Sequence, residues 1–127
     1  MQLTLENPDV RYVLRGATGD SALVNDQRLT SSFILSPDTL LPDWRPGAIA
    51  DLDPADLDPL LALEPALVLL GSGGRLRFPA QAVLAACLTR GIGIEVMDNA
   101  AAARTFNVLA SEGRRVAAGF LIQAGSG

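Results

Sequence analysis

The chain has 127 residues and a net charge of −4, and 49% of its residues are hydrophobic, which is the composition of one folded globular domain. It contains no histidine and no lysine, because all ten basic residues are arginine. These absences exclude Ser-His-Asp and Cys-His catalysis, histidine-ligated zinc, Walker-type phosphate loops and Schiff-base chemistry within this chain. The single cysteine, Cys87, excludes an internal disulfide, and its apolar neighbours at helical spacing predict a buried thiol rather than a nucleophile.

The charge is unevenly distributed along the chain. Residues 1–66 carry 11 acidic residues and 4 arginines, whereas residues 67–127 carry 3 acidic residues and 6 arginines. We interpret this asymmetry as a result of acidic turns in the first half. The overall negative charge argues against nucleic-acid binding, since phosphate neutralisation requires a basic surface.

The amino-terminal residues 1–9 lack the features of a targeting segment. They contain neither the positive region and apolar stretch of a secretory signal nor the arginine-rich character of a mitochondrial presequence. The longest apolar run, Val116 to Ile122, is far shorter than the roughly 18 residues that a transmembrane helix needs. We therefore expect a cytoplasmic protein with no transmembrane segment.

The first 50 residues predict short strands. Residues 22–24 and 27–29 form a hairpin around the turn pair Asn25-Asp26, and further strands are expected over residues 12–14 and 32–35. Trp44 follows in a stretch punctuated by proline and glycine, and we expect it to pack beneath the strands.

Residues 51–65 form an acidic segment that predicts short helices. Asp53 and Pro54 supply an N-cap and a first helical residue, while Pro59 requires a second helical start or a break. The four aspartates of this segment lack the spacing and the glycine of an EF-hand loop, so we interpret them as caps and turns and expect no metal.

Residues 66–122 predict a βαβαβ arrangement. Strands are expected over 66–70, 92–97 and 116–122, and helices over 79–90 and 100–112. Short connections between alternating strands and helices favour neighbouring parallel strands with right-handed crossovers. The chain is therefore predicted to be a single α/β domain over residues 1–127, with residues 123–127 as a loose tail. Its central mixed, largely parallel sheet is flanked by helices in three layers, with an N-terminal β-hairpin layer.

A glycine loop, Gly71-Ser72-Gly73-Gly74, separates the first strand of this region from its helix. Its backbone amides could bind a phosphate or carboxylate, and Arg75 and Arg77 could add positive charge. The loop does not match the dinucleotide fingerprint, whose third glycine position is Leu76 here. We favour the simpler interpretation, a connection that needs glycine for its backbone conformation.

A second candidate site lies at the start of the last helix, where Asp98 and Asn99 precede Arg104 and Asn107. Arg104 lies near the amino-terminal end of the helix, where the helix dipole disfavours a cation. Its partner is either Asp98 or a bound anion, and the sequence leaves both open. Asp98 as a general base is a further hypothesis.

The carboxy-terminal segments 93–109 and 112–118 resemble a widespread family of small domains of unknown molecular function. The family includes a mitochondrial assembly factor for respiratory complex I. Residues 67–73 are similar to the family's strand and glycine loop, and Val24-Asn25-Asp26 with Ser32 and Pro37 to its opening hairpin. This chain has Asn99-Ala100 where the family commonly has Thr-Gly, and Ala103 where it often has cysteine. The resemblance implies a three-layer α/β fold with the glycine loop and the segment 98–104 at adjacent strand ends.

These observations favour a non-enzymatic protein-interaction domain of the assembly-factor kind, linked to complex I biogenesis, with a protein partner and no cofactor. A homodimer is left open. The alternative is a binding domain or enzyme for a small anionic ligand. Its site would comprise the glycine loop and the helix start, namely Gly71, Ser72, Gly73, Gly74, Asp98, Asn99, Arg104 and Asn107.

Overall fold

The computed structural model describes residues 10–124, so the expectations for residues 1–9 and 125–127 lie outside the described range. The strands are β1 (Leu14–Ala17), β2 (Ala22–Val24), β3 (Gln27–Leu29), β4 (Ser31–Ser36), β5 (Thr39–Leu41), β6 (Leu67–Gly71), β7 (Gly93–Met97) and β8 (Val116–Gln123). The α-helices are α1 (Asp58–Leu61), α2 (Gln81–Leu88) and α3 (Asn99–Ser111), and 3₁₀ helices span Ile49–Asp51 and Pro54–Leu57. None of the helices within the described range has the length and apolar character needed to cross a membrane.

The central sheet has five strands in the order β5-β4-β8-β6-β7. β6 is parallel to both β7 and β8, whereas β4 is antiparallel to β8 and to β5. The crossover through α2 joins neighbouring strands, and the crossover through α3 carries the chain past β6 to β8. The predicted mixed α/β sheet is confirmed.

The two faces of the sheet bury separate apolar clusters, because alternate residues of a strand point to opposite sides. Ala118 and Phe120 of β8 face α3, where the Phe120 ring stacks on Phe33 at a centroid distance of 5.0 Å. Ala117 and Leu121 face α1 and α2. The helices and the small N-terminal sheet therefore enclose the central sheet as outer layers, as the predicted three-layer fold requires.

The N-terminal hairpin layer is a three-stranded antiparallel sheet, β1-β2-β3, that packs on α3. The hairpin over β2 and β3 is confirmed. The strand predicted over residues 12–14 is wrong in its bounds, because β1 begins at Leu14 and ends at Ala17. The Val13 N–H donates to Asn25 Oδ1 at 2.9 Å, and the Tyr12 N–H donates to the Pro37 carbonyl. These N–H groups bond to residues of two different turns and not to the backbone of β2, so pairing with β2 begins only at Leu14.

The hairpin from β4 to β5 was not predicted as a hairpin. Ser36 pairs with Thr39 across the two-residue turn Pro37-Asp38. The proline and aspartate indicated the end of β4, and the strand that returns has only three residues.

Residues 42–65 cover the face of the sheet opposite α3. Trp44 is buried as predicted, and its Nε1–H donates to the Asp56 carbonyl at 2.9 Å. Asp53 precedes the 3₁₀ helix that begins at Pro54, and Pro59 lies in the first turn of α1, so the second helical start is what the chain uses. This segment also forms one wall of the groove described next.

Candidate functional site

The glycine loop and the start of α3 lie side by side at the carboxyl end of the parallel strands. Gly71 ends β6 directly opposite Met97, which ends β7. The Ser72 N–H extends this pairing by donating to the Met97 carbonyl at 2.8 Å. Open α/β sheets commonly bind ligands at this end of their strands. The adjacency that the resemblance implied is therefore present.

The segment after β6 has its conformation fixed by one side chain. The Ser72 hydroxyl donates to the Arg75 carbonyl at 2.8 Å and accepts the Arg77 N–H at 3.1 Å. Gly73 has φ +111, a conformation that strongly favours glycine. The loop is thus braced by hydrogen bonds within the protein.

Asn99 lies buried beneath the loop and ties four segments together. Its Oδ1 accepts the Gly73 N–H at 3.0 Å, and its Nδ2 donates to the Thr18 carbonyl at 2.7 Å and to the Leu121 carbonyl at 2.9 Å. Its own N–H donates to the Gly73 carbonyl. The backbone N–H groups of Ser72 and Gly73 are therefore both hydrogen-bonded within the protein.

A groove of about 750 Å³ opens above this network. One wall is the segment 47–50, and the other comprises Arg75, Arg77 and Phe78. Ser72, Gly73, Gly74, Leu121 and Gln123 also line it. The Phe78 side chain is 66% exposed and the neighbouring Leu76 51% exposed. The groove therefore combines exposed apolar surface with two arginines.

The residues predicted at the start of α3 do not line this groove. Asp98 is the N-cap of α3, where its Oδ1 accepts the Ala101 N–H at 2.8 Å. Arg104 is exposed, and no ion pair joins it to Asp98 in the part of the chain that the structure describes. Asn107 fixes β1 instead, because its carboxamide accepts the Leu14 N–H at 3.0 Å and donates to the Leu14 carbonyl at 2.7 Å.

Segment 47–50 and Phe78 were missing from the predicted site. Segment 47–50 reaches the glycine loop only through the tertiary fold, so no local pattern could identify it. Phe78 stands between Arg77 and Pro79 and outside the apolar stripe of α2, which was an available signal that it points into solvent.

Three further titratable groups, those of Arg45, Asp56 and Cys87, do not line the groove. The Arg45 guanidinium donates to both carboxylate oxygens of Asp56 and thereby holds the pKa of Asp56 below its usual range. Cys87 is buried as predicted, and burial raises the pKa of its thiol. Among residues 10–124, no three acidic or cysteine side chains come close enough together to hold a metal ion.

Solved structures with the same fold come from several bacteria. The solution structure of XCC1710 from Xanthomonas campestris is 57% identical, with a TM-score of 0.81 over 96% of this chain and 92% of that one. A crystal structure from Bordetella parapertussis is 29% identical, with a TM-score of 0.82 over 90% of this chain and 98% of that one.

Curated relatives carry the name NADH dehydrogenase [ubiquinone] 1 alpha subcomplex assembly factor 3. The protein from Bos taurus is 32% identical over 114 residues, which are 88% of this chain and 61% of the relative. The protein from Homo sapiens is 35% identical over 94 residues, which are 72% of this chain and 50% of the relative. The chain thus spans only half to three-fifths of their length. Residues 14–121 match the family described as protein of unknown function (DUF498/DUF598), and the chain belongs to that family.

Proposed function

We propose that this chain is a non-enzymatic protein-interaction domain that assists the assembly of a respiratory complex, complex I being the candidate. The observation that carries the proposal is the exposure of Leu76 and Phe78 on a loop fixed by hydrogen bonds. The relatives named as assembly factors for NADH dehydrogenase support the link to complex I.

The physical argument concerns the cost of binding. Exposed apolar side chains beside polar ones are typical of protein-interaction surfaces. Ordering a loop at an interface costs free energy, and the hydrogen bonds of Ser72 remove much of that cost in advance. Aromatic side chains such as Phe78 are enriched where partners bind.

Affinity capture with matched variants tests this function. Wild type, Phe78→Ser and Leu88→Ser are used as baits in a detergent extract of respiring bacterial membranes, and captured proteins are identified by mass spectrometry. Leu88 is 59% exposed on α2 and lies outside the groove, so it matches Phe78 in exposure and chemistry. We expect complex I subunits to be captured by wild type and Leu88→Ser and lost with Phe78→Ser. Equal capture by all three baits, or capture of none, contradicts the proposal.

A small anionic ligand at the glycine loop and the start of α3 is the second candidate. Arg75 and Arg77 beside the loop favour it, and the engaged amides of Ser72 and Gly73 leave those arginines as the main source of charge. A thermal-shift screen with phosphate, nucleotides and carboxylates tests it on wild type, Arg77→Gln and Arg104→Gln. A stabilisation lost only in Arg77→Gln supports a ligand in the groove, and one lost only in Arg104→Gln supports a site on α3. No stabilisation in wild type contradicts both sites.

We propose the cytoplasm as the compartment. The free thiol of Cys87 is compatible with a reducing environment. Cell fractionation with a carboxy-terminal epitope tag tests this, and recovery in a periplasmic fraction contradicts it.

A further inference from the structure

We infer that the groove binds an acidic segment of a partner protein that also carries an apolar anchor side chain. This inference rests on the proposed interaction function and adds the chemistry of the partner. It also assigns separate tasks to Arg75 and Arg77, which contact carboxylates, and to Phe78, which contacts the anchor.

The charged side chains described in the lining of the groove are all positive. Of the described residues, those that line it include Arg75 and Arg77 and no aspartate or glutamate. Both arginines are exposed, and the ion pair found within residues 10–124 is that of Arg45 with Asp56, on the segment behind the other wall. Arginines that no carboxylate of the described chain neutralises attract an acidic partner by steering and by direct contact.

The spacing of the loop residues suits a segment that lies along the groove. Arg75 and Arg77 are two residues apart and are held by the bonds of Ser72 to the Arg75 carbonyl and the Arg77 N–H. Both guanidinium groups therefore start from a fixed backbone, which favours the simultaneous binding of two carboxylates.

The apolar contact lies at the side of these arginines. Phe78 is the most exposed large apolar side chain among those described, and the half-buried Ile49 also lines the groove. A leucine or phenylalanine of the partner that contacts these side chains would remove apolar surface from water. The anchor supplies affinity, and the carboxylates supply selectivity and association rate.

A randomised dodecapeptide library displayed on phage tests the chemistry. It is selected separately on wild type, Arg75→Gln/Arg77→Gln and Arg15→Gln/Arg90→Gln. The last variant removes the same charge from exposed arginines outside the groove. We expect wild type and the control to enrich peptides that combine aspartate or glutamate with leucine or phenylalanine. A synthetic peptide from that pool should bind the Arg75→Gln/Arg77→Gln variant about tenfold more weakly.

Three outcomes overturn the inference in distinguishable ways. Enriched peptides without acidic residues, or equal binding to the two arginine variants, refute the charge chemistry but leave the interaction function standing. No enrichment on wild type, together with failed capture of complex I subunits, refutes both. The third outcome is that no peptide is enriched, while wild type co-sediments with vesicles of phosphatidylcholine and 30% phosphatidylglycerol and Arg75→Gln/Arg77→Gln does not. That result assigns the groove to a membrane surface instead.

Self-binding is a separate outcome, because the exposed Asp51 and Asp53 of a second copy are also acidic. Sedimentation velocity of wild type over a hundredfold concentration range detects it. Association that the Arg75→Gln/Arg77→Gln variant abolishes would replace the partner protein by a second copy of this chain and overturn the inference as stated.

Discussion

The backbone of Gly71 lies directly against the carboxamide of Asn99. A Cβ at position 71 would come within 2.4 Å of Asn99 Oδ1 and 2.9 Å of Phe120 Cδ2. The same carboxamide binds Gly73 and two backbone carbonyls from other segments. The first glycine of the loop is therefore needed so that a buried asparagine can hold the groove floor together.

Gly71→Ala is expected to destabilise the protein by about 2–3 kcal/mol, because either Asn99 or Phe120 must move. The measurement is urea unfolding followed by circular dichroism. Gly16→Ala is the matched control, since a Cβ there meets no atom of residues 10–124 within 4 Å. A change at position 71 no larger than that at position 16 would contradict the prediction.

Asn99→Ala provides an independent check of the same network. It leaves the Gly73 N–H, the buried Leu121 carbonyl and the partly buried Thr18 carbonyl without this partner, which should cost about 2–4 kcal/mol. The double variant with Gly71→Ala should lose less stability than the two single changes added together, because the clash with Oδ1 has gone. Strict additivity would show that the two residues do not interact.

The contact of Trp44 with Gly119 leads to a second prediction. A Cβ at position 119 would lie 2.6 Å from Trp44 Cζ3, so the indole occupies the space above that glycine. Gly119→Ala should displace the ring, lower stability by about 1–3 kcal/mol and shift the tryptophan emission to longer wavelength. Gly47→Ala is the control, since its Cβ would make only an ordinary contact at 3.7 Å. Unchanged emission in Gly119→Ala would disprove the displacement.

Hydrophobic patterns and turn signals were sufficient to predict most of the fold. The apolar run at residues 66–70 and the spacing within residues 100–112 led to β6 and α3, because each pattern reflects burial on the element itself. The three-residue strand β5 was missed because so short a strand carries almost no periodicity and because Pro37-Asp38 was interpreted as the end of β4 and not as a hairpin turn.

The candidate site was harder to predict because its contacts connect distant segments. Ser72, Gly73 and Gly74 do line the groove, but Asn107 turned out to hold β1, a contact that spans 93 residues of sequence. Asn99 was predicted to bind a ligand, but its side chain is buried and hydrogen-bonds the backbone of three other segments. The sequence does not distinguish a polar residue at a strand end that binds a ligand from one that hydrogen-bonds a distant backbone carbonyl.

The pair Arg45–Asp56 predicts a particular response to acid. Arg45 lowers the pKa of Asp56 in the folded protein. As the pH falls, the Asp56 carboxylate is therefore protonated in the unfolded chain before it is protonated in the folded protein. The stability that the pair contributes is present above the unfolded pKa of about 3.9 and is lost as the pH falls through the lower folded value. Asp56→Asn should therefore be less stable than wild type at pH 7 and should lose less stability than wild type between pH 4 and pH 2.5.

Urea unfolding at pH 7, 4 and 2.5 measures this difference. Asp26→Asn is the control, because it removes an exposed carboxylate from a turn outside the Arg45 network. If Asp56→Asn and wild type lose equal stability between pH 4 and pH 2.5, the ion pair does not contribute to the acid response.

The outer edge of β7 supports a final prediction about self-association. β7 is the end strand of the central sheet, and Glu95 stands exposed at its centre between the half-buried Ile94 and Val96. Two copies pairing antiparallel about this centre would place their Glu95 carboxylates opposite each other, which is destabilising. A charged residue on an edge strand thus prevents the strand from pairing with another chain.

Glu95→Val should accordingly create a dimer that wild type does not form through this edge. Sedimentation velocity should show a sedimentation coefficient that rises with concentration in the variant. Glu112→Val, which makes the same change at the exposed C-cap of α3, should leave it at the wild-type value. Adding Ile94→Pro to the Glu95→Val variant should abolish the dimer, because proline has no backbone N–H to donate to a neighbouring strand. A Glu95→Val protein that sediments as wild type does would mean that some other feature protects the edge of β7.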